Sequence, residues 1–174
     1  MSNIRYNNED YPLSPVPIRL LYISVSKFEG DWHSHLHSHQ CTELFYVLSG
    51  KGEFQVDELR FPVVPGDMVT INPNVQHTET GIKNSPMEYI VLGVEGAEFL
   101  LDDNDESRFC TFACGAAGVE ILRILRKILA ELKEKRQHPG IIARNLLENP
   151  CVKLLRHRLV SLERQPTSKR ASLE

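Results

Sequence analysis

Cysteine is scarce: Cys41, Cys110, Cys114 and Cys151 are the only four in a chain of 174 residues. That is too few for a disulfide framework, and buried reduced thiols are the simplest expectation. Long apolar runs are missing too. The longest, Tyr89 to Val94, is far short of the ~20 residues that a membrane-spanning helix needs. The first residues, Met1 to Asp10, are polar and acidic and lack the apolar centre of an export signal, so a cytoplasmic protein with no membrane contact is expected. There are no internal repeats and no low-complexity tracts. What remains is average for a globular chain, 41% hydrophobic and 25% charged, of a size that buries roughly 70% of its unfolded surface around one core.

The formal net charge of −3 hides an uneven distribution. Between Ala116 and Glu174 stand 13 Lys and Arg against 6 acidic residues, whereas the first 115 residues hold 7 basic and 17 acidic ones. An acidic body with a basic end can signal a nucleic-acid neighbour. Phosphate recognition needs those charges on one face. Here they are spread around helical turns, and solvated helix surfaces are the simpler explanation.

Pro12, Pro15 and Pro17 make residues 1–17 an extended arm, unsuited to a helix or a central strand. From Ile18 to about Val94, short apolar runs (IRLLYISV, ELFYVLSG, GEFQV, LRFPVV, MVTI, MEYIVLGV) are separated by turn signals such as Gly50-Lys51-Gly52, Pro65-Gly66-Asp67 and Asn72-Pro73-Asn74. Strands of that length and spacing predict a β-sandwich or small barrel. Alternation at Phe54/Val56 and Leu59/Phe61/Val63 supports it. The stretch from Glu95 to Cys114 reads as a short strand plus loop.

After Gly118 the period changes to that of a helix. Leu122, Leu125, Leu129 and Leu132 form one stripe, with Ile121, Ile124 and Ile128 beside it. His138-Pro139-Gly140 ends this helix, and a second runs from Ile141 to about Arg164, where Pro150 should kink or restart it. The expected divisions are an arm over 1–17, a barrel over 18–115, a helical segment over 116–166 and a frayed tail over 167–174. The first helix has a face broad enough to sit on the barrel and still offer Leu122, Leu125, Leu129 and Leu132 to a second copy in a homodimer. The alternative is that the second helix covers the surplus.

Chemistry concentrates in Trp32-His33-Ser34-His35-Leu36-His37-Ser38-His39-Gln40-Cys41-Thr42-Glu43. In an extended segment His35, His37, His39 and Glu43 share a face. Imidazoles and a carboxylate together suit a divalent metal, whose charge offsets the cost of burying them. His77 is a further candidate just after the Asn72-Pro73-Asn74 turn. A solvated histidine run, or a His/Glu hydrogen-bond cluster in a polar cavity, is the plainer alternative.

The order His37-x-His39, Glu43, Gly50, then Pro65-Gly66-Asp67, then His77 resembles the two motifs of the cupin barrel. The segments HSHQCTELFYVLSGKGEF and PGDMVTINPNVQH, followed by two amphipathic helices, are similar to the N-terminal sensor and dimerisation domain of AraC-type transcriptional regulators. Asn72 and Asn74 depart from the proline and glycine usual in the second motif, but Asn tolerates the left-handed conformation and the turn should survive.

The resemblance implies a mainly β fold, a cupin (double-stranded β-helix or jelly-roll) barrel followed by two C-terminal helices. It implies a small-molecule effector, for instance sugar-like, that is bound by pocket residues His37, His39, Glu43 and His77. Trp32 or Tyr89 would stack on that effector or simply pack. It also implies DNA contact only through a helix-turn-helix domain outside this chain, and no catalytic residues. The arm over 1–17 would close across the barrel when effector binds. In cupin enzymes of the isomerase or dioxygenase type, the same four positions hold a divalent metal (Zn, Ni, Mn or Fe), which is the competing expectation.

Overall fold

The computed structural model describes residues 4, 18–28, 35–82, 84–101, 108–134, 137–156 and 159–164. Among them the chain forms β1 (Arg19–Phe28), β2 (Thr42–Ser49), β3 (Gly52–Val56), β4 (Leu59–Val63), β5 (Asp67–Ile71), β6 (His77–Gly81), β7 (Met87–Glu95), β8 (Ala97–Leu100), β9 (Phe109–Ala113), α1 (Gly115–Glu134), α2 (Pro139–Arg156) and β10 (Ser161–Arg164). The arm over 1–17 (apart from Ile4), Trp32 and the tail over 167–174 lie outside the described residues. No described helix is long and apolar enough to cross a membrane.

The turns form where local chemistry allows them. Gly50 has φ 74°, and a Cβ there would stand 2.0 Å from the Pro86 carbonyl oxygen, so only glycine fits between β2 and β3. Asn74 takes the left-handed conformation at φ 65°, as expected for this departure. The other departure has a use of its own. Buried Asn72 donates to the Phe99 carbonyl at 2.8 Å and accepts from the Phe99 amide at 2.9 Å, tying the end of β5 to β8.

The strands pair antiparallel into a five-stranded sheet, β1-β7-β2-β5-β9, a facing three-stranded sheet, β4-β3-β6, and a two-stranded β10-β8 ribbon. β2 and β7 are buried on both faces. From β2, Phe45 and Val47 enter the core between the sheets, whereas Leu44 and Tyr46 enter a second core beneath the helices. Burying each such side chain contributes about 1.5–3 kcal/mol.

α1 seats Ile121, Ile124, Leu125 and Ile128 in the second core, and the Tyr46 hydroxyl donates to the Gly118 carbonyl at 3.3 Å. The isoleucine stripe therefore faces inward. Leu125 is 2% exposed and Leu122, Leu129 and Leu132 are partly buried against the same core. Of the four leucines expected at a dimer contact, Leu125 is thus covered within one chain, and the other three are covered in part. α2 starts at Pro139, where a missing N–H costs nothing, and it runs through Pro150 without interruption. The helix expected to reach Arg164 ends at Arg156, and Ser161–Arg164 instead pairs with β8. The stretch after Glu95 holds two strands, β8 and β9, in place of one.

Candidate metal centre between the two sheets

Glu43 lies near the start of β2 in the five-stranded sheet, and His77 begins β6 in the facing sheet. The segment carrying His37 and His39 is irregular, so strand parity is not what brings it here. It is stitched to the 74–77 segment: His37 and His77 exchange backbone hydrogen bonds of 3.0 and 2.8 Å, and the Asn74 amide donates to the His39 carbonyl at 2.7 Å. The ligating nitrogens of His37, His39 and His77 come within 4.8 Å of one another. Glu43 Oε2 stands 3.0 Å from His77 Nε2 and 3.6 Å from His39 Nε2. The cluster is graded from exposed His37 through half-buried His39 to buried Glu43 and His77. Thus all four of the residues expected at the centre come together. His35 does not join them and stays exposed.

The rings are oriented from behind. His77 Nδ1 lies 3.0 Å from the Val75 carbonyl and His37 Nδ1 3.0 Å from the His35 carbonyl. A carbonyl only accepts, so each Nδ1 carries the proton and each Nε2 is turned toward the cluster with its lone pair free, the arrangement found behind metal-bound histidines. Glu43 Oε2 and His77 Nε2 are buried, close and yet not aligned as a hydrogen bond, and neither has a hydrogen-bond partner. Two lone-pair atoms facing each other at that distance need a positive charge between them.

In the metal-free chain a proton on His77 serves. Burial alone would lower His77 and raise Glu43. Their mutual attraction overturns both effects, holding His77 above the usual histidine range and, with the Tyr22 hydroxyl, holding Glu43 below the usual carboxylate range. A divalent cation held by His37, His39, Glu43 and His77 would supply the same charge.

Two contributors escaped the sequence. Glu79 lies two residues beyond His77 on β6, is 4% exposed, and is pushed up by burial; its shared parity with His77 was a usable signal. Tyr22 on β1 donates to Glu43 Oε1 at 2.5 Å, and no spacing rule links positions so far apart. Tyr89 is buried edge-on against Phe45 at 5.3 Å, so it packs beneath the centre. A cleft of about 740 Å³ lies elsewhere, between β1 and the helices, beside Leu20, Leu21, Leu132 and Ile141.

Residues 25–93 match the family model of the cupin domain. Among solved structures, the apo K231A variant of ToxT from Vibrio cholerae superposes with a TM-score of 0.55 at 9% identity, covering 83% of this chain and 58% of that one. Wild-type ToxT bound to an unsaturated fatty acid gives a TM-score of 0.52 at 6% identity, over 80% and 54% of the two chains. A cupin-like protein from Thermotoga maritima is 24% identical over 44% of this chain and 65% of its own, with a TM-score of 0.39. This chain therefore spans less than two thirds of each of these three. No curated protein is similar to it in sequence. With two facing antiparallel sheets, a His/Glu cluster between them and a match to the cupin domain over 25–93, the chain has a mainly β cupin fold that carries two C-terminal helices.

Proposed function

We propose that this chain is the small-molecule-sensing domain of an AraC-type transcriptional regulator and that its barrel binds effector at a divalent-cation centre made by His37, His39, Glu43 and His77. The observation that carries the proposal is the joint placement of four convergent ligand groups between the sheets and two helices packed on the outer face of the same strands. Leu44 and Tyr46 touch the helix core while Phe45 and Glu43 face the centre, so one strand connects the site to the helices. That is what a sensor needs and what a barrel working alone does not.

The chain's own residues divide the work. Buried His77 and Glu43 anchor the centre, and exposed His37 and half-buried His39 form its solvent side. Phe45, Phe54 and Tyr89 exclude water beneath it. A divalent cation there would neutralise Glu43 and offer open positions to an oxygen-bearing ligand; the nitrogen-rich donor set suits Zn, Ni, Mn or Fe. ToxT is seen with an unsaturated fatty acid, which makes carboxylates the first effectors to test. Homodimerisation would use the outer flank of α1, where Val119 is 80% exposed. DNA contact belongs to a domain outside these residues.

A second reading, a metal-dependent isomerase or dioxygenase, is favoured by Glu79. Its buried carboxyl is pushed up by burial and shares a face with His77, placing a proton-transfer group beside the centre. Elemental analysis followed by thermal-shift titration with carboxylic acids of increasing chain length separates the two. Stabilisation with the acid recovered intact supports the sensor, and consumption of the acid supports the enzyme. A protein that takes up no divalent cation and responds to no acid overturns both.

A further inference from the structure

One hydrogen bond at the centre comes from outside the His/Glu motif. Tyr22 lies on edge strand β1, yet its hydroxyl donates to Glu43 Oε1 at 2.5 Å. Its reach depends on two features of the sheet. The ladder between β1 and β7 slips between Leu20 and Tyr22, so Leu21 is left over and Tyr22 stands opposite Gly93. Gly93 stands opposite Glu43 on the other side of β7. The tyrosine ring therefore crosses β7 directly over Gly93, where a Cβ would sit 2.2 Å from Tyr22 Cε1. Gly93 is not among the residues with positive φ. Glycine is there for space, in a strand otherwise built of MEYIVL and VE.

We propose that Tyr22 is a positioning residue of the cation centre, its hydroxyl occupying Glu43 Oε1 so that Oε2 alone is presented as a ligand beside His39 and His77. The proposal rests on the reading of His37, His39, Glu43 and His77 as a cation site. The terminal torsion of a glutamate is broad, so an unrestrained carboxylate can turn or offer both oxygens. A short charge-assisted bond to one oxygen removes that freedom. The other oxygen is the one found 3.0 Å from His77 Nε2 and 3.6 Å from His39 Nε2. Tyr22 itself is 37% exposed, so removing only its hydroxyl disturbs little packing. Partners of this kind behind metal ligands typically change affinity by about 10–100-fold.

The test is cobalt(II) titration of the full chain, followed by calorimetry and by visible absorption, for wild type, Tyr22→Phe, Gly93→Ala and the double variant. Tyr22→Phe should fold and melt like wild type and bind the same number of ions, with affinity about 10–100-fold lower. Its cobalt bands should weaken as Glu43 offers both oxygens and the coordination number rises. Gly93→Ala, which displaces the ring, should reproduce that loss, and the double variant should be no weaker than the weaker single one, because both act through one contact. If Gly93→Ala does not fold, Tyr22→Phe alone decides. Wild-type affinity with unchanged bands in Tyr22→Phe overturns the proposal and leaves the cation reading standing. Wild-type protein that binds no cobalt overturns both.

Discussion

The central strands β2 and β7 of the five-stranded sheet are closed to water on both faces, but by different covers. On the outer face Leu44, Tyr46, Met68, Ile90 and Leu92 meet α1 and α2, whose buried residues carry no ionised group and are chiefly isoleucine, leucine and alanine, with Gly118, Pro150 and Cys151. On the inner face Phe45, Val69, Val91 and their neighbours meet the three-stranded sheet, which adds His77 and Glu79 from β6 to the Glu43 side of β2. Alternation along β2 and β7 separates the two environments cleanly, since successive residues point to opposite faces. An amphipathic helix supplies only an apolar stripe. A strand with polar residues on its inner side supplies ionisable groups. Chemistry therefore collects on the face covered by a sheet.

Charge should consequently be intolerable on one face and replaceable on the other. Leu125→Asp puts an unpaired carboxylate in the helix-facing core and should leave the chain unfolded by circular dichroism; Leu125→Ala should cost about 2–5 kcal/mol in urea unfolding. A folded monomer from Leu125→Asp would show instead that this position is on the surface, as a dimer contact requires. Asn72→Ala tests the tie between the end of β5 and β8. It strands the buried Phe99 amide and carbonyl and should cost about 2–3 kcal/mol.

His37→Ala should change stability by less than about 0.5 kcal/mol, because the side chain is exposed, while cation affinity falls at least about tenfold. Destabilisation comparable to that of Asn72→Ala would mean that the inner face depends on its ionisable groups for folding, and the contrast would fail. The smallest effect should come from Arg19→Ala. Its partner Glu95 is close, but the side chains are 68% and 42% exposed, and solvent screening should leave the urea midpoint unchanged within error.

Much of the β-rich half was legible because burial follows a period of two and turns need particular residues. β1 to β5 and β7 coincide with apolar runs between turn signals. β6 was invisible, because His77-Thr78-Glu79-Thr80-Gly81 has no apolar residue for a hydrophobic period to register, and it is polar because it lines the centre. β10 looked like the end of a helix. Val160 and Leu162 gain burial only because β8 offers a free edge. That His37, His39, Glu43 and His77 cluster was legible from motif order alone, although the parity explanation does not hold, since the segment bearing His37 and His39 bends before β2 begins.

Sequence alone determined where the chain turns, which residue types can bind a cation, and that two helices follow the strands. Those properties are local, set by allowed φ values, by donor chemistry and by periodicity over a few residues. Tertiary structure alone decided that the isoleucines of α1 face inward, that Asn72 holds β8, and that Tyr22 reaches Glu43 across Gly93. A period says which side chains share a face, but not which face is covered or by what. Partners across a sheet come from distant parts of the chain, and a single bulged residue such as Leu21 changes which of them meet.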